Sequence, residues 1–399
     1  MSNIIDYVKW RGDITFEQDP FNEVDAVVLS QLAQLPFKEI AESIDVKKMT
    51  IKVTASKLKK ALVGKNFDLG LILPRDIFEL FYLMGASKRF GPVVLSDYVN
   101  DIYIEKETQF CALTADVPSS ARVIIFCGTD DTIVGWREDF NMICISPTPA
   151  QAKSVVYLEK ALKDVEKGII CGHSKGGNLA MYSLVHADIS TQEKVIHSYN
   201  IDGPGFTEDV NLIPRFKENM EKTSLHIGQT AVVGRFFDHY EKEIVVHSNA
   251  VGLYQHDVFS WEVLGKSFVK EHGVTKECLH IENIVKDILK DTTALQKQQF
   301  VEVIFDMLQS TDSKTLLDVN KKKQKLITSY LTLDAKTKKL LTEMTSRLVM
   351  DRVVQKYFFA NIKEMQKKEK EKAKELNISK KPKLISIKIS NNKNKKKDG

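Results

Sequence analysis

The sequence has few of the features that mark secreted, membrane-spanning or metal-binding proteins. Its 399 residues contain only five cysteines, with no C-x-x-C pair. This argues against both a disulfide framework and a zinc site and predicts buried thiols. No apolar run reaches the ~18 residues of a membrane-spanning helix, and the first residues lack the basic and then apolar stretch of a secretion signal. We therefore expect a cytoplasmic protein.

Charge is unevenly distributed along the chain. The formal net charge is +5, yet the segment from Asn361 onward carries 14 lysines against 5 acidic residues, leaving 44 basic and 48 acidic residues before it. A Lys-rich segment with few aromatic residues cannot bury enough apolar surface to fold, so the tail is predicted to be disordered. Such a tail can make weak electrostatic contact with anionic membrane or nucleic acid, although no nucleic-acid-binding module accompanies it.

The pattern of apolar residues divides the chain into four parts. Helical spacing predicts a helical N-terminal region over 1–105, packed on the core, and a helical C-terminal region over 275–365. Between them, over 106–274, short β-branched strands beginning at Gln109 alternate with helices, which predicts an α/β core with a mainly parallel sheet. The disordered tail occupies 366–399.

The segment Gly168–Leu184 carries the motif with most chemical content. A buried strand ends in Gly-His-Ser-Lys-Gly and passes directly into a helix, which is the setting of a nucleophile elbow with Ser174 as nucleophile. The backbone N–H of Lys175, at the start of that helix, is then a candidate oxyanion donor. The alternative is a glycine-rich turn that only closes a strand-helix junction.

The general base and acid should follow Ser174 on loops after later strands. Among nine histidines, His256 in NAVGLYQHD follows the last clear strand and is the candidate base, the alternative being a histidine near a helix start. Asp202 in NIDGPGF is the preferred acid, although it could also be a turn-forming residue. Asp238 in RFFDHYEKE, after the next strand, remains the alternative acid.

The loop after an earlier strand should supply the second oxyanion donor. The strand in ARVIIFCG ends in Gly128, so the N–H of Thr129 is the candidate. Asp130, Asp131 and Asp139 lie nearby, but no His, Cys or Glu spacing completes a metal site. Solvated turn acids and a helix cap account for them, and no metal is predicted.

Several of these segments together resemble known families. V-x-x-F-x-G-T-D, W…D-F and GHSKGGNLA are similar to the class 3 (triacylglycerol) lipase pattern. The stretch WRGDITFEQDPFNEVDA, with DGPGF and QHDVFSW, resembles a bacterial family described as a domain of unknown function (Mbeg-like) within the α/β-hydrolase superfamily. This resemblance covers about residues 3 to 265. It implies an α/β-hydrolase fold with Ser174 as nucleophile, His256 as base and Thr129 in the oxyanion loop.

Two departures from the lipase pattern concern this site. Lipase-like enzymes usually have Arg before Gly128, where this chain has Cys127, a change of little consequence. They also usually carry the acid after the later strand, where this chain has QTAVVG, which leaves the acid open. Lipases of the pancreatic type place their acid after the same strand as Asp202.

The sequence therefore predicts a cytoplasmic serine hydrolase that cleaves a carboxylic ester, of a small molecule or a lipid, through an acyl-enzyme on Ser174. No cofactor is required for this chemistry. The alternative is a catalytically silent hydrolase-fold protein that binds partners through its C-terminal helices and basic tail. Thioester, peptide and acyl-transfer chemistry use the same residue types, and the sequence indicates neither the acyl group nor the oligomeric state.

Overall fold

An eight-stranded sheet forms the centre of the protein. The computed structural model describes residues 1–35, 37, 48–61, 76–315, 318–319 and 322–355. Within these residues the strands lie in the sheet in chain order, antiparallel from the first to the fourth and parallel from the fourth to the eighth. The architecture is α/β with a large, mostly parallel sheet. The strands are β1 (Met49–Thr50), β2 (Val94–Tyr103), β3 (Thr108–Asp116), β4 (Arg122–Phe126), β5 (Gly168–His173), β6 (Val195–Ile201), β7 (Thr223–Gly228) and β8 (Lys242–Val246).

Helices precede, connect and follow the strands, and short polar residues begin many of them. Asn22 and Thr148, for example, accept hydrogen bonds from the free N–H groups of the first turns that follow them. The described helices are α1 (Ile4–Arg11), α2 (Glu23–Ser30), α3 (Ile51–Ala61), α4 (Asp76–Ala86), α5 (Ile133–Asn141), α6 (Pro149–Leu162), α7 (Lys175–His186), α8 (Ile189–Lys194), α9 (Phe216–Glu221), α10 (Lys276–Asp291), α11 (Ala294–Gln309), α12 (Lys323–Thr332) and α13 (Ala335–Met350). A small hairpin pairs β9 (Val263–Leu264) with β10 (Ser267–Phe268).

The two faces of the sheet are covered by different parts of the chain. Successive side chains of a strand point to opposite faces. In β4, Ile124 and Phe126 join a core with residues of α6 and α7, whereas Val123 and Ile125 join a core with residues of α1, α2, α3 and α4. The crossover helices thus cover one face, and the N-terminal helices cover the other.

A buried ion pair holds the N-terminal helices together. Arg89, after α4, donates from Nε and Nη2 to the two carboxylate oxygens of Asp25 in α2, at 2.8 and 2.5 Å, and both side chains are fully buried. The hydroxyl of Tyr7 in α1 donates to Asp25 Oδ1 at 2.9 Å. The guanidinium and the carboxylate form two parallel hydrogen bonds. Together with the bond from Tyr7, they connect α1, α2 and the segment after α4.

The sheet begins earlier than the sequence predicted. Gln109 was expected to open the first strand, but β1 and β2 lie within the N-terminal region that was predicted to be mostly helical. β2 carries two aspartates and an asparagine and is largely half-buried, so it lacks the continuous apolar run by which β3 and β4 were recognised. The division of the chain into four domains remains a prediction.

The expectation that all five cysteines are separate thiols was wrong for two of them. Cys111 in β3 and Cys127 just after β4 lie opposite each other, with Cα atoms 5.1 Å apart and their sulfurs paired as a cross-strand disulfide. Cys171 and Cys278 are buried free thiols, and Cys144 is a half-buried one. Pairing of adjacent strands, rather than any spacing pattern in the sequence, brings the two residues together.

Helices α10 to α13 follow the sheet and the hairpin. Val301 and Phe305 of α11 pack against Ile133 of α5, so this region contacts the helix that follows the predicted oxyanion loop. Among the residues that the structure describes, no helix has both the length and the apolar character needed to cross a bilayer. The predicted Lys-rich tail, 366–399, lies outside the described residues.

Candidate active site

Ser174 lies at the sharp turn between β5 and α7. Its backbone has φ 60° and ψ −131°, a conformation that non-glycine residues rarely adopt and that stores strain at functional positions. The flanking glycines make the turn possible. A Cβ on Gly172 would lie 2.1 Å from the carbonyl oxygen of Gly176, and one on Gly176 would lie 2.2 Å from that of Phe126. The sequence therefore folds here as a nucleophile elbow requires.

The residues predicted to supply the oxyanion donors lie next to this turn. Lys175 is the first residue of α7, where a backbone N–H has no partner within the helix. The loop after β4 approaches from the neighbouring strand, since a Cβ on Gly128 would lie 3.2 Å from Ser174 Cβ. Thr129 follows directly, and its hydroxyl donates to Asp139 Oδ2 at 2.5 Å. The loop that carries Thr129 is thus packed against Ser174 and tied to α5.

His256 and Asp202 meet although 54 positions separate them in the chain. His256 Nδ1 lies 2.7 Å from Asp202 Oδ2, and Asp202 is fully buried. The other carboxylate oxygen of Asp202 accepts the backbone N–H of Gly234 at 2.9 Å. A carboxylate can only accept, so Nδ1 of His256 carries a proton, and in the neutral ring Nε2 is left as the acceptor. This is the tautomer that a general base needs.

The alternative acid, Asp238, does not reach the imidazole. Its side chain is 64% exposed and lies 3.7 Å from Lys286 Nζ, and its backbone pairs with Phe206. Of the two candidate acids, only Asp202 contacts His256. The buried end of β6 directs that carboxylate inward, whereas Asp238 lies at the surface.

Ser174 is connected to the loop of His256 through the residue that precedes it, His173. In the part of the chain that the structure describes, the Ser174 hydroxyl and the His256 imidazole are not hydrogen-bonded to each other. They are linked through His173, whose Nε2 lies 2.8 Å from the carbonyl oxygen of His256 and whose ring centroid lies 4.5 Å from that of His256. Catalytic hydrogen bonds commonly tighten only when substrate is bound.

Buried charges lie beneath the oxyanion loop. The Lys175 ammonium, 1% exposed, donates to the carbonyl oxygen of Gln109 at 2.8 Å and lies 3.3 Å from Glu138 Oε2. Glu138 also accepts the backbone N–H groups of Gln109 and Ala150, at 2.9 and 2.7 Å. One ion pair therefore joins the elbow, β3, α5 and the start of α6.

The expectation that the acids near Thr129 are solvated is wrong for Asp139. Its side chain is one-quarter exposed, and burial raises its pKa to about 6, although Lys175 acts in the opposite direction. Asp131 is also buried, whereas Asp130 accepts from the hydroxyl of Thr132 in a local turn, as expected of a turn acid. Among the described residues, no group of three or more His, Cys, Asp or Glu side chains is arranged to hold a metal ion.

Sequence reasoning missed four side chains around the site: those of Gln34, Glu138, His173 and Lys175. His173 and Lys175 flank the nucleophile, so the motif contained them without indicating what their side chains contact. Lys175 meets Gln109 across 66 positions, and His173 meets Gln34 across 139. No local pattern signals such contacts, although a lysine and a histidine inside an otherwise apolar strand-helix junction are a sign of buried partners.

Comparison with known proteins identifies the family of the chain. Residues 84–306 match the model of the Mbeg1-like family. The match contains Thr129, Ser174, Asp202 and His256. Its bounds differ from the predicted resemblance, which covered about residues 3 to 265: the match begins after the stretch Trp10–Ala26 and extends to residue 306. None of the curated proteins matches the chain. Because the matched segment covers more than half of its length, the protein belongs to the Mbeg1-like family.

Proposed function

We propose that this protein is a serine hydrolase of the α/β-hydrolase superfamily, related to class 3 lipases, that cleaves a carboxylic ester through an acyl-enzyme on Ser174. One observation carries the proposal. The hydrogen-bonded pair His256 and Asp202, 2.7 Å apart, lies beside a strained serine at a strand-helix turn. The three residues occur in the order Ser, Asp, His, which is the order of the α/β-hydrolases.

The reaction follows from the roles of the groups. Ser174 Oγ forms a bond to the acyl carbon while its proton passes to His256 Nε2, and Asp202 stabilises the resulting imidazolium. The backbone N–H groups of Lys175 and Thr129 stabilise the oxyanion. The ester bond then breaks, the leaving alkoxide takes the proton from His256, and the acyl group stays on Ser174. Water, deprotonated by His256, releases the acid and restores the hydroxyl.

A fluorophosphonate probe tests the proposal directly, because it reacts covalently with a serine that an adjacent base activates. Wild-type protein should be labelled, and Ser174→Ala and His256→Ala should not be. Ser190→Ala, which changes an exposed serine bonded to Asp188, is the matched control and should be labelled like wild type. Labelling that survives Ser174→Ala would contradict the assignment, and a folded wild type that is not labelled would favour a catalytically silent binding protein.

The substrate class needs a second measurement. Rates on acyl p-nitrophenyl esters of increasing chain length, beside thioester and peptide substrates, separate ester hydrolysis from the other reactions that these residues support. We expect ester hydrolysis to be fastest, since the proposed relatives are lipases. A higher kcat/KM on thioesters or peptides would leave Ser174 as nucleophile and overturn the ester assignment.

A further inference from the structure

The imidazole of His173, the residue before Ser174, is buried and has a partner at each nitrogen. Nε2 lies 2.8 Å from the carbonyl oxygen of His256, and Nδ1 lies 2.8 Å from Nε2 of Gln34. The ring also packs against the ring of His256, at an interplanar angle of 31°. His173 therefore connects the loop of the proposed base with the N-terminal turn Gln31–Gln34.

The partners determine which nitrogen of His173 carries the proton. A carbonyl oxygen only accepts, so Nε2 must be the donor toward His256. The neutral ring then has its lone pair on Nδ1, and the amide of Gln34 donates to it. Burial, and after it the nearby His256, holds the pKa of His173 well below its ordinary value. The bonds thus run in one direction, from Gln34 to His173 and from His173 to His256.

Gln34 is itself held in place by the core. Leu32 and Leu35, on either side of it, are buried against the N-terminal helices. The carbonyl oxygen of Ala33 lies 3.4 Å from the sulfur of Cys111 in β3. The amide of Gln34 therefore reaches His173 from a fixed turn, and a fixed donor can select one tautomer of the ring.

His256 is restrained from two sides. Asp202 fixes the imidazole through Nδ1, whereas His173 holds the backbone carbonyl and one face of the ring. The rest of the loop is anchored through the preceding residue, because the indole N–H of Trp261 donates to the carbonyl oxygen of Gln255 at 2.7 Å. Among the described residues, the side chain hydrogen-bonded to the backbone carbonyl of His256 is that of His173.

We propose that Gln34 and His173 are positioning residues for His256: the Gln34 amide keeps His173 in its Nε2–H tautomer, and that N–H holds the base at the nucleophile. The inference rests on the proposed function. The hydrogen bonds of these two side chains reach neither Ser174 Oγ nor His256 Nε2. Gln34 lies outside the segment 84–306 that matches the family, so a part of the chain beyond the family segment would set the geometry of the site.

Four substitutions test the proposal. His173→Phe keeps a ring but removes both bonds, and a base displaced by ~1 Å should lower kcat by about 10²-fold with little change in KM. His173→Gln, which can still donate to the carbonyl, should recover part of that loss. Gln34→Leu removes the donor, and Gln34→Glu replaces it with an acceptor that favours a proton on Nδ1 and so disturbs the neutral Nε2–H form. We expect Gln34→Glu to be the more damaging of the two.

Matched controls separate positioning from general loss of stability. His197→Phe removes a half-buried imidazole bonded to Ser224, and Gln192→Leu removes a buried amide bonded to the carbonyls of Val185 and Ala187. Both contacts lie away from the site. These variants should lower the melting temperature and leave kcat unchanged.

The tautomer is measured independently of activity by ¹⁵N NMR of protein labelled at histidine. We expect the neutral Nε2–H form of His173, with no proton on Nδ1, in the wild type and a proton on Nδ1 in Gln34→Glu. An Nδ1–H wild type, or His173→Phe with wild-type kcat and wild-type fluorophosphonate labelling, would overturn the positioning role. If the wild type is not labelled at Ser174, the proposed function fails instead, and the NMR result still decides whether the hydrogen-bond chain exists.

Discussion

Gly234→Ala should damage the site by displacing the acid, Asp202. Gly234 lies in the turn Val233–Arg235, and its N–H donates to Asp202 Oδ1 at 2.9 Å. Its φ lies outside the left-handed region, so alanine suits the backbone there. The added Cβ, however, would stand 2.3 Å from Asp202 Oδ1 and 2.6 Å from Ile227 Cγ2. The substitution therefore forces the carboxylate or the turn to move.

The size of the effect follows from these distances. Relieving a 2.3 Å contact requires a shift of ~1 Å, and such a misplacement costs about 10²-fold in rate, or ~2.7 kcal/mol in the barrier. Complete loss of the orienting acid in a triad costs about 10⁴-fold, which sets the upper limit. Overpacking should also lower the free energy of unfolding by ~1–3 kcal/mol.

The assay is kcat and KM on the ester that the wild type hydrolyses fastest, with the melting temperature measured in parallel. Gly273→Ala is the control, because a Cβ there meets nothing within 4 Å. Asp202→Asn supplies the reference loss. If Gly234→Ala keeps wild-type kcat while Asp202→Asn loses it, the steric reasoning is refuted. If both keep it, Asp202 is not the acid.

Three further predictions concern the surroundings of the site. Thr129→Val keeps the backbone N–H but loses the hydrogen bond to Asp139. We expect kcat to fall by about 10-fold or more, because the oxyanion loop loosens. The control Thr223→Val removes a buried hydroxyl elsewhere and should leave kcat unchanged. Because the pKa of Asp139 is raised to about 6 from 3.8, the folded state keeps this proton longer than the unfolded state. Stability should thus fall as pH rises from about 4 to 6, by ~3 kcal/mol at most, and Asp139→Asn should remove that fall in denaturant titrations. Asp25→Asn leaves the Arg89 guanidinium buried without its counter-charge and should cost about 3–5 kcal/mol in the same assay, whereas equal stability would show that the pair contributes nothing.

The sequence predicted the α/β class because β4 and β5 are short and apolar and alternate with stretches of helical spacing. It missed β2, whose polar residues suit a half-buried strand but give no alternating signal. In a strand such as β2, the helices that pack on the strand decide which side chains are buried. That information is not local, so periodicity could not supply it.

The candidate site shows the same limit. Ser174 was recognisable because one short segment contains the strand, the turn and the helix. The sequence favoured Asp202 but left Asp238 open as the acid, because both follow strands. The difference lies in which carboxylate is buried against Gly234 and which faces Lys286. Burial of Lys175 among Gln109 and Glu138 likewise depends on packing between distant elements.

The two-sided covering of the sheet has a consequence for where this chain can be divided. The family segment begins at Met84, inside α4, and excludes α1, α2 and α3. A fragment cut there would expose the sheet face formed by Val123 and Ile125 and would leave Arg89 without Asp25. An exposed apolar face of that kind promotes aggregation. The family segment 84–306 is therefore shorter than the stretch needed for folding. Expression of that segment alone should yield insoluble protein.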